Sequence, residues 1–287
     1  MLPALCLLFP VLPLAACRTV PGGLRPLPAG DPRPAALLLE LQVRFAERQA
    51  LRGRLRLAVD GPAGSGRSRL RLLAARPARL RVEVRGLLGE TVALLVTDGE
   101  RYALVAPAEG RREHGPVHEG ILREVAGLDL RPEEAVSLLL ASPPVGPGAR
   151  PKDAVALGDG GLRFAVVGAG GQPEAELEFD RLGRLRVWTR FGPAGGTRFR
   201  ATFGDWRDDP GEPFPFHREV AFPAIGARAS LSFREAELLP EVDGAAFGVD
   251  RAAAGGSRAT GRGPAKLPAP GCRPGSAGGG ECGSGAS

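Results

Sequence analysis

The chain is 287 residues long, 43% hydrophobic, and carries a formal net charge of +6. That length holds one large domain or two small ones, and the apolar content suffices for a core, so a chain without one is excluded. The basic excess is almost all arginine, with lysine only at Lys152 and Lys266. The arginines alternate with apolar residues rather than running together, which reads as a solvated sheet face and not as a nucleic-acid-binding tract.

The first element is MLPALCLLFPVLPLAAC. Its apolar run ends at Ala16, too short for a membrane helix, which needs about 20 residues. Pro3, Pro10 and Pro13 also oppose a stable helix. The size fits the apolar region of a secretory signal over residues 1–16. Leu14-Ala15-Ala16-Cys17 resembles the bacterial lipobox, in which the cysteine thiol receives diacylglycerol and cleavage leaves the cysteine as the first residue. An ordinary secretory signal with a chance cysteine is the simpler alternative. The segment before Cys17 lacks lysine and arginine, which departs from the usual basic start. Acylation of Cys17 would anchor the chain in membrane lipid. Arg18 in place of aspartate at the next position favours the outer membrane, with the chain facing the periplasm. Residues 17–33 then form a Pro/Gly-rich tether.

An amphipathic helix follows from about Pro34 to Leu51, with Leu37, Leu38, Leu41 and Phe45 on one face and Glu40, Arg44, Glu47 and Arg48 on the other. The period then changes to two. GRLRLAVD, ARLRVEVR, EAELEF, GRLRVWTR, TRFRATF and ARASLSFRE alternate apolar and polar residues, the pattern of antiparallel sheet with one buried face. Turns fall at Asp98-Gly99 and around Gly183. Between Val117 and Leu140 the pattern is helical, with Ile121, Leu122, Val125 and Leu128 on one face, then RPEEAVSLLLA with Pro132 near its start. The reading is mainly β, with about ten strands, an N-terminal helix and a short central helical insert. So few helices cannot cover a flat sheet, which must close fully or curve around them. From residue 251 to 287 large apolar side chains are almost absent, which predicts a disordered tail. Cys272 and Cys282 in that tail are spaced to form a disulfide in an exported protein.

Motifs with chemistry are few. Gly61-Pro62-Ala63-Gly64-Ser65-Gly66-Arg67-Ser68 nearly matches a phosphate-binding loop, but Arg67 replaces the lysine and an alternating strand follows where a helix should. Gly168-Ala169-Gly170-Gly171 leads into Pro173 and a strand, unlike a dinucleotide fingerprint. His114 and His118 have helical metal spacing, but Gly115 and Pro116 lie between them and no further ligand completes a site. With His217 as the remaining histidine, no nucleophile–base pairing is legible, so no enzyme is expected.

The order of lipobox, helix, alternating strands, helical insert and further strands resembles the LolA/LolB family of lipoprotein carriers and receptors. RPARLRVEVRGLLGETVALLVTDGERYALVAPAEGR looks like its strand–turn–strand segment, and EGILREVAGLDLRPEEAVSLLLASPP like its helical insert. FREAELLPEVDGAAFGV is similar to its ending, with Phe247 closing the fold, so the domain spans residues 34–250. The resemblance implies a strongly curved antiparallel half-barrel with helices as a lid over an apolar cavity, binding acyl chains without a cofactor. The cavity would be lined by Leu55, Leu57, Val59, Leu80, Val82, Val84, Val92, Leu94, Phe164, Leu177, Phe179 and Phe203. A dry core made of the same residues is equally consistent with the pattern. Leu87 and Leu88, between Gly86 and Gly89, match the loop from which the family's receptor projects an apolar residue into the membrane. The implied cargo is a lipid or an acylated lipoprotein. The alternative is a structural lipoprotein that docks a protein partner in an envelope complex.

Overall fold

The structure is a computed structural model and describes residues 23–62, 64–208 and 211–254. Cys17, Cys272, Cys282, the signal and most of the tail therefore lie outside the described residues. The chain opens with β1 (Arg25–Pro26) and α1 (Arg33–Glu47), then runs through β2 (Ala50–Gly61), β3 (Gly64–Ala75), β4 (Arg79–Arg85), β5 (Thr91–Thr97), β6 (Arg101–Ala106) and β7 (Arg111–Pro116). Two short helices follow, α2 (Ile121–Ala126) and α3 (Pro132–Leu139). The chain returns through β8 (Arg150–Ala156), β9 (Leu162–Val167), β10 (Pro173–Phe179), β11 (Leu185–Phe191), β12 (Thr197–Arg207), β13 (Phe214–Phe222) and β14 (Ala227–Leu239), and ends in α4 (Val249–Ala254).

All fourteen strands join one antiparallel sheet, in the order β1-β8-β9-β10-β11-β12-β13-β14-β2-β3-β4-β5-β6-β7. Neighbours in sequence are neighbours in the sheet, except where β14 returns beside β2 and β1 beside β8. The sheet does not close on itself. Its curvature follows from the core: Leu104 of β6 and Phe164 of β9, near opposite ends of the strand order, belong to one continuous apolar cluster. A flat sheet would hold them several strands apart at about 4.8 Å each. This is the curved half-barrel with helices that the sequence predicts.

α1, α2 and α3 cover the concave face. α1 buries Leu38 and Leu41 and packs against β8, while α3 packs against β3 and β4 with every residue buried from Glu134 to Leu139. A helix apolar on almost all sides belongs inside a core. α2 ends at Gly127, whose φ of 68° is a left-handed conformation suited to glycine.

Three expectations shift. The first helix ends at Glu47, and Leu51 already lies in β2. Arg48, assigned to the wet face of that helix, is 4% exposed and turned inward. The fold also extends past residue 250: α4 runs to Ala254, and its Val249 and Ala252 pack with Phe247 over Val96 and Ala103 on the convex face. The predicted tail therefore begins after α4. The glycine-rich 61–68 stretch is the β2–β3 hairpin, with Arg67 on a strand.

Candidate functional site

Strand register decides which side chains meet on the concave face. Leu55 and Leu57 lie opposite Phe233 and Leu231 of β14, Val59 opposite Ala229, and Leu80, Val82 and Val84 opposite Thr97, Leu95 and Ala93 of β5. Leu55, Leu80, Phe164, Leu177, Phe179 and Phe203 are buried in the main cluster, and Phe164 stacks on Phe179 at 5.6 Å. Leu57, Val59, Val82 and Val84 also pack on that cluster but remain half-buried. Burial thus grades along the strands. The end near the α3 lid is sealed, and the end near the β2–β3 and β4–β5 turns is partly open.

One predicted lining residue belongs elsewhere. Ala93, Leu95 and Thr97 occupy the concave side of β5, so Leu94 points to the convex one, while Val92 falls at the register shift between Val84 and Arg85 and joins neither core cluster. On the convex side Leu94 packs beside Val96 under α4. The run VALLVT is apolar on both faces because α4 covers the outer one, so alternation alone carries no face assignment.

The sealed end holds a group of arginines that sequence reasoning passes over. Arg218 of β13 is 0% exposed, with its guanidinium 4.7 Å from the Phe214 ring centroid and 4.6 Å from that of Phe233. It donates to the Leu138 and Leu139 carbonyl oxygens at 3.1 and 2.9 Å, while Nη1 has no partner among the described residues. Arg48 donates to the Leu140 carbonyl at 3.0 Å and to the Glu212 carboxylate at 2.7 Å. Arg76 donates to the Arg48 carbonyl at 3.1 Å, Ser137 Oγ at 3.2 Å and the Ser142 carbonyl at 3.0 Å, and lies 3.5 Å over the Phe45 ring. The last carbonyls of α3 are met in part by the backbone that follows, Leu138 by the Ala141 N–H at 3.1 Å and Ser137 by the Ser142 N–H at 3.0 Å, and they carry partial negative charge, so cations are favoured there. Burial, with Arg48 nearby, pushes Arg218 down to about 9 and Arg76 down to about 10. Both stay protonated at neutral pH.

The other end of α3 is tied by Glu134, which accepts from the Arg131 backbone N–H at 2.9 Å and pairs with Arg198 at 3.2 Å. Burial raises its pKa, and the Arg131 N–H and neighbouring arginines oppose that rise. For Arg218 the sequence does hold a signal: Phe214, Phe216, Arg218, Val220 and Phe222 share one parity, so the arginine sits at an inward position. For Arg48 and Arg76 no comparable signal exists.

The β4–β5 turn is the most exposed apolar feature. Leu87 is 88% and Leu88 97% exposed. The turn is narrow: the Gly86 N–H donates to the Glu90 carbonyl at 2.9 Å and the Gly89 N–H to the Gly86 carbonyl at 3.2 Å. Gly89 takes a φ of 86°, which closes the turn with both leucines projecting outward. Neither leucine folds back onto the sheet edge. The histidines do not converge into a metal site, and among the described residues no group of three or more His, Cys, Asp or Glu is placed to hold an ion.

No family model matches the chain, and no curated protein matches it. Solved structures do. A domain from Vibrio parahaemolyticus described as an outer-membrane lipoprotein-sorting protein superposes with a TM-score of 0.52 at 10% identity, over 77% of this chain and 98% of that one. A DUF1329 family protein from Desulfovibrio piger gives 0.52 at 8% identity, over 75% and 95%. A LolA superfamily protein from Nitrosomonas europaea gives 0.48 at 10% identity, over 74% and 98%. At such identities the likeness is one of fold. The two superpositions at 0.52 agree with the curved-sheet fold that the resemblance implies.

Proposed function

We propose that the chain is an outer-membrane lipoprotein, anchored through Cys17 and facing the periplasm, that takes acyl chains of lipids or lipoproteins against its concave apolar face. The observation that carries this reading is the graded face itself. Leu57, Val59, Val82 and Val84 form a half-covered apolar strip at the sheet end that bears the exposed Leu87-Leu88 turn. An acyl chain entering there would meet apolar side chains at once, and burial is favourable by about 25 cal/mol per Å². Deeper entry requires α3 to yield, because Leu138 and Leu139 fill the sealed end. The fold likeness to a lipoprotein-sorting domain supports the same reading.

The test is native mass spectrometry on the full chain carrying Cys17→Ala, expressed in a bacterial host. The expected spectrum contains adducts of lipid mass that disappear on delipidation. An empty domain that instead retains a stoichiometric protein partner would replace this function with docking in an envelope complex.

A further inference from the structure

The convex face behind the β4–β5 turn carries an unbalanced row of charge. Arg56 of β2 pairs in register with Arg69 of β3, and Arg69 with Arg85 of β4. Like charges directly opposite each other across strands are unfavourable, so such a row costs stability unless something answers it. Further along this face carboxylates stand among the arginines, with Arg71 opposite both Arg54 and Glu83. Arg52 pairs with Glu237 at 3.0 Å, Arg54 with Glu235 at 3.1 Å and Arg81 with Glu83 at 2.9 Å around an open groove of about 390 Å³. Among the described residues, Arg56, Arg67 and Arg69 are exposed and no ion pair involves them. Arg85 leans on Glu83 at 3.6 Å and braces the turn through Thr91 Oγ1 and the Gly89 carbonyl.

We infer that this row binds the phosphate groups of anionic phospholipids when the leucine turn touches a bilayer. The inference rests on the reading of Leu87 and Leu88 as a membrane contact and adds the lipid class to it. Position supports it. Arg85 adjoins Gly86, so the row lies two or three residues below the leucines, roughly 7–10 Å along the strand. Apolar groups at an interface reach about 5–10 Å into the boundary between headgroups and acyl chains. The β2–β3 hairpin runs five residue pairs past the row, to Gly61 and Gly64, so the strands must lie tilted, with the convex face bearing Arg56, Arg67, Arg69 and Arg85 toward the phosphates while the leucines dip past them. The unanswered charge and the exposed apolar tip thus belong to one end of one hairpin layer, and a bilayer satisfies both.

The test uses the full chain carrying Cys17→Ala, with vesicles of phosphatidylcholine alone or mixed with phosphatidylglycerol. The parent should partition more strongly onto the mixed vesicles, and added salt should remove the difference. Arg56→Gln with Arg69→Gln should lower binding to mixed vesicles about 25-fold, at about fivefold per arginine, and leave binding to neutral vesicles unchanged. Arg56→Lys with Arg69→Lys should retain the parent's preference. Leu87→Glu with Leu88→Glu should weaken binding to both vesicle types, with the circular dichroism spectrum unchanged in every variant. A parent that binds both vesicle types equally, or a Gln pair that binds mixed vesicles like the parent, overturns the arginine assignment and leaves the leucine contact standing. A parent that binds neither overturns the leucine contact and this inference with it. Tighter binding of polyglutamate than of mixed vesicles, dependent on Arg56 and Arg69, would assign the face to an acidic polypeptide instead.

Discussion

Cys17→Ala should release the chain from the membrane fraction, leaving either a soluble or an unprocessed species. Each buried methylene contributes about 0.8 kcal/mol, so a single myristoyl chain holds a protein only marginally, whereas two or more chains hold it stably. A lipobox cysteine carries such a set of chains. The leucine turn cannot replace them, because a fully buried leucine contributes only about 1.5–3 kcal/mol. Fractionation followed by mass measurement of the mature N-terminus checks this. The wild-type chain should begin at Cys17 and carry the mass of its acyl groups. An unmodified N-terminus beyond residue 17 would show an ordinary secreted protein, and alanine at that position would then change nothing.

Arg218→Met should destabilise the domain by about 1–3 kcal/mol. Methionine keeps an unbranched stem between Phe214 and Phe233 but donates no hydrogen bonds. The Leu138 and Leu139 carbonyls, met by Arg218 at 3.1 and 2.9 Å, would lose that donor. A buried acceptor left unpaired costs about 1–3 kcal/mol. Relief of the buried charge works in the opposite direction, because guanidinium desolvation is expensive. The unpartnered Nη1 shows that this expense is only partly offset in the native state. The Leu138 carbonyl keeps the Ala141 N–H at 3.1 Å, so the Leu139 carbonyl is the acceptor left unpaired. That loss should outweigh the relief, because it lies at the C-terminal end of α3, where a cation is also favoured by the helix dipole. For a domain of this size the midpoint of thermal unfolding should fall by roughly 2–12 °C. Proteolysis should appear first in the segment from α2 to α3. A methionine variant as stable as wild type would mean that α3 is held by its apolar packing alone.

Much of the fold is legible in the sequence because most strands have one wet face. GRLRLAVD and ARLRVEVR show their inward residues directly, and register confirms Leu55, Leu57, Val59, Leu80, Val82 and Val84 on the concave side. Legibility fails where that condition fails. β7, RREHGP, is an edge strand with little buried surface, so no apolar alternation marks it. β5 is covered on both faces, which placed Leu94 on the wrong one, and the register shift at Val92 interrupts the alternation there. The arginine group is hidden for another reason. Its partners are backbone carbonyls of α3, and a carbonyl leaves no trace in the side-chain pattern. Only Arg218, within the inward series from Phe214 to Phe222, carries a readable sign of its burial.

The central claim is that the concave face, and not the convex one, receives acyl chains. Val82 and Glu83 are adjacent in β4 and face opposite sides of the sheet: Val82 lies beside Leu72 and Leu95, Glu83 beside Arg71 and Leu94. A photo-crosslinking amino acid at each position in turn, in the full chain expressed in a bacterial envelope, separates the two faces within one strand. The account predicts that position 82 captures lipid or an acylated lipoprotein and that position 83 captures no acyl cargo. Acyl cargo captured equally from both positions, or from 83 alone, would contradict it.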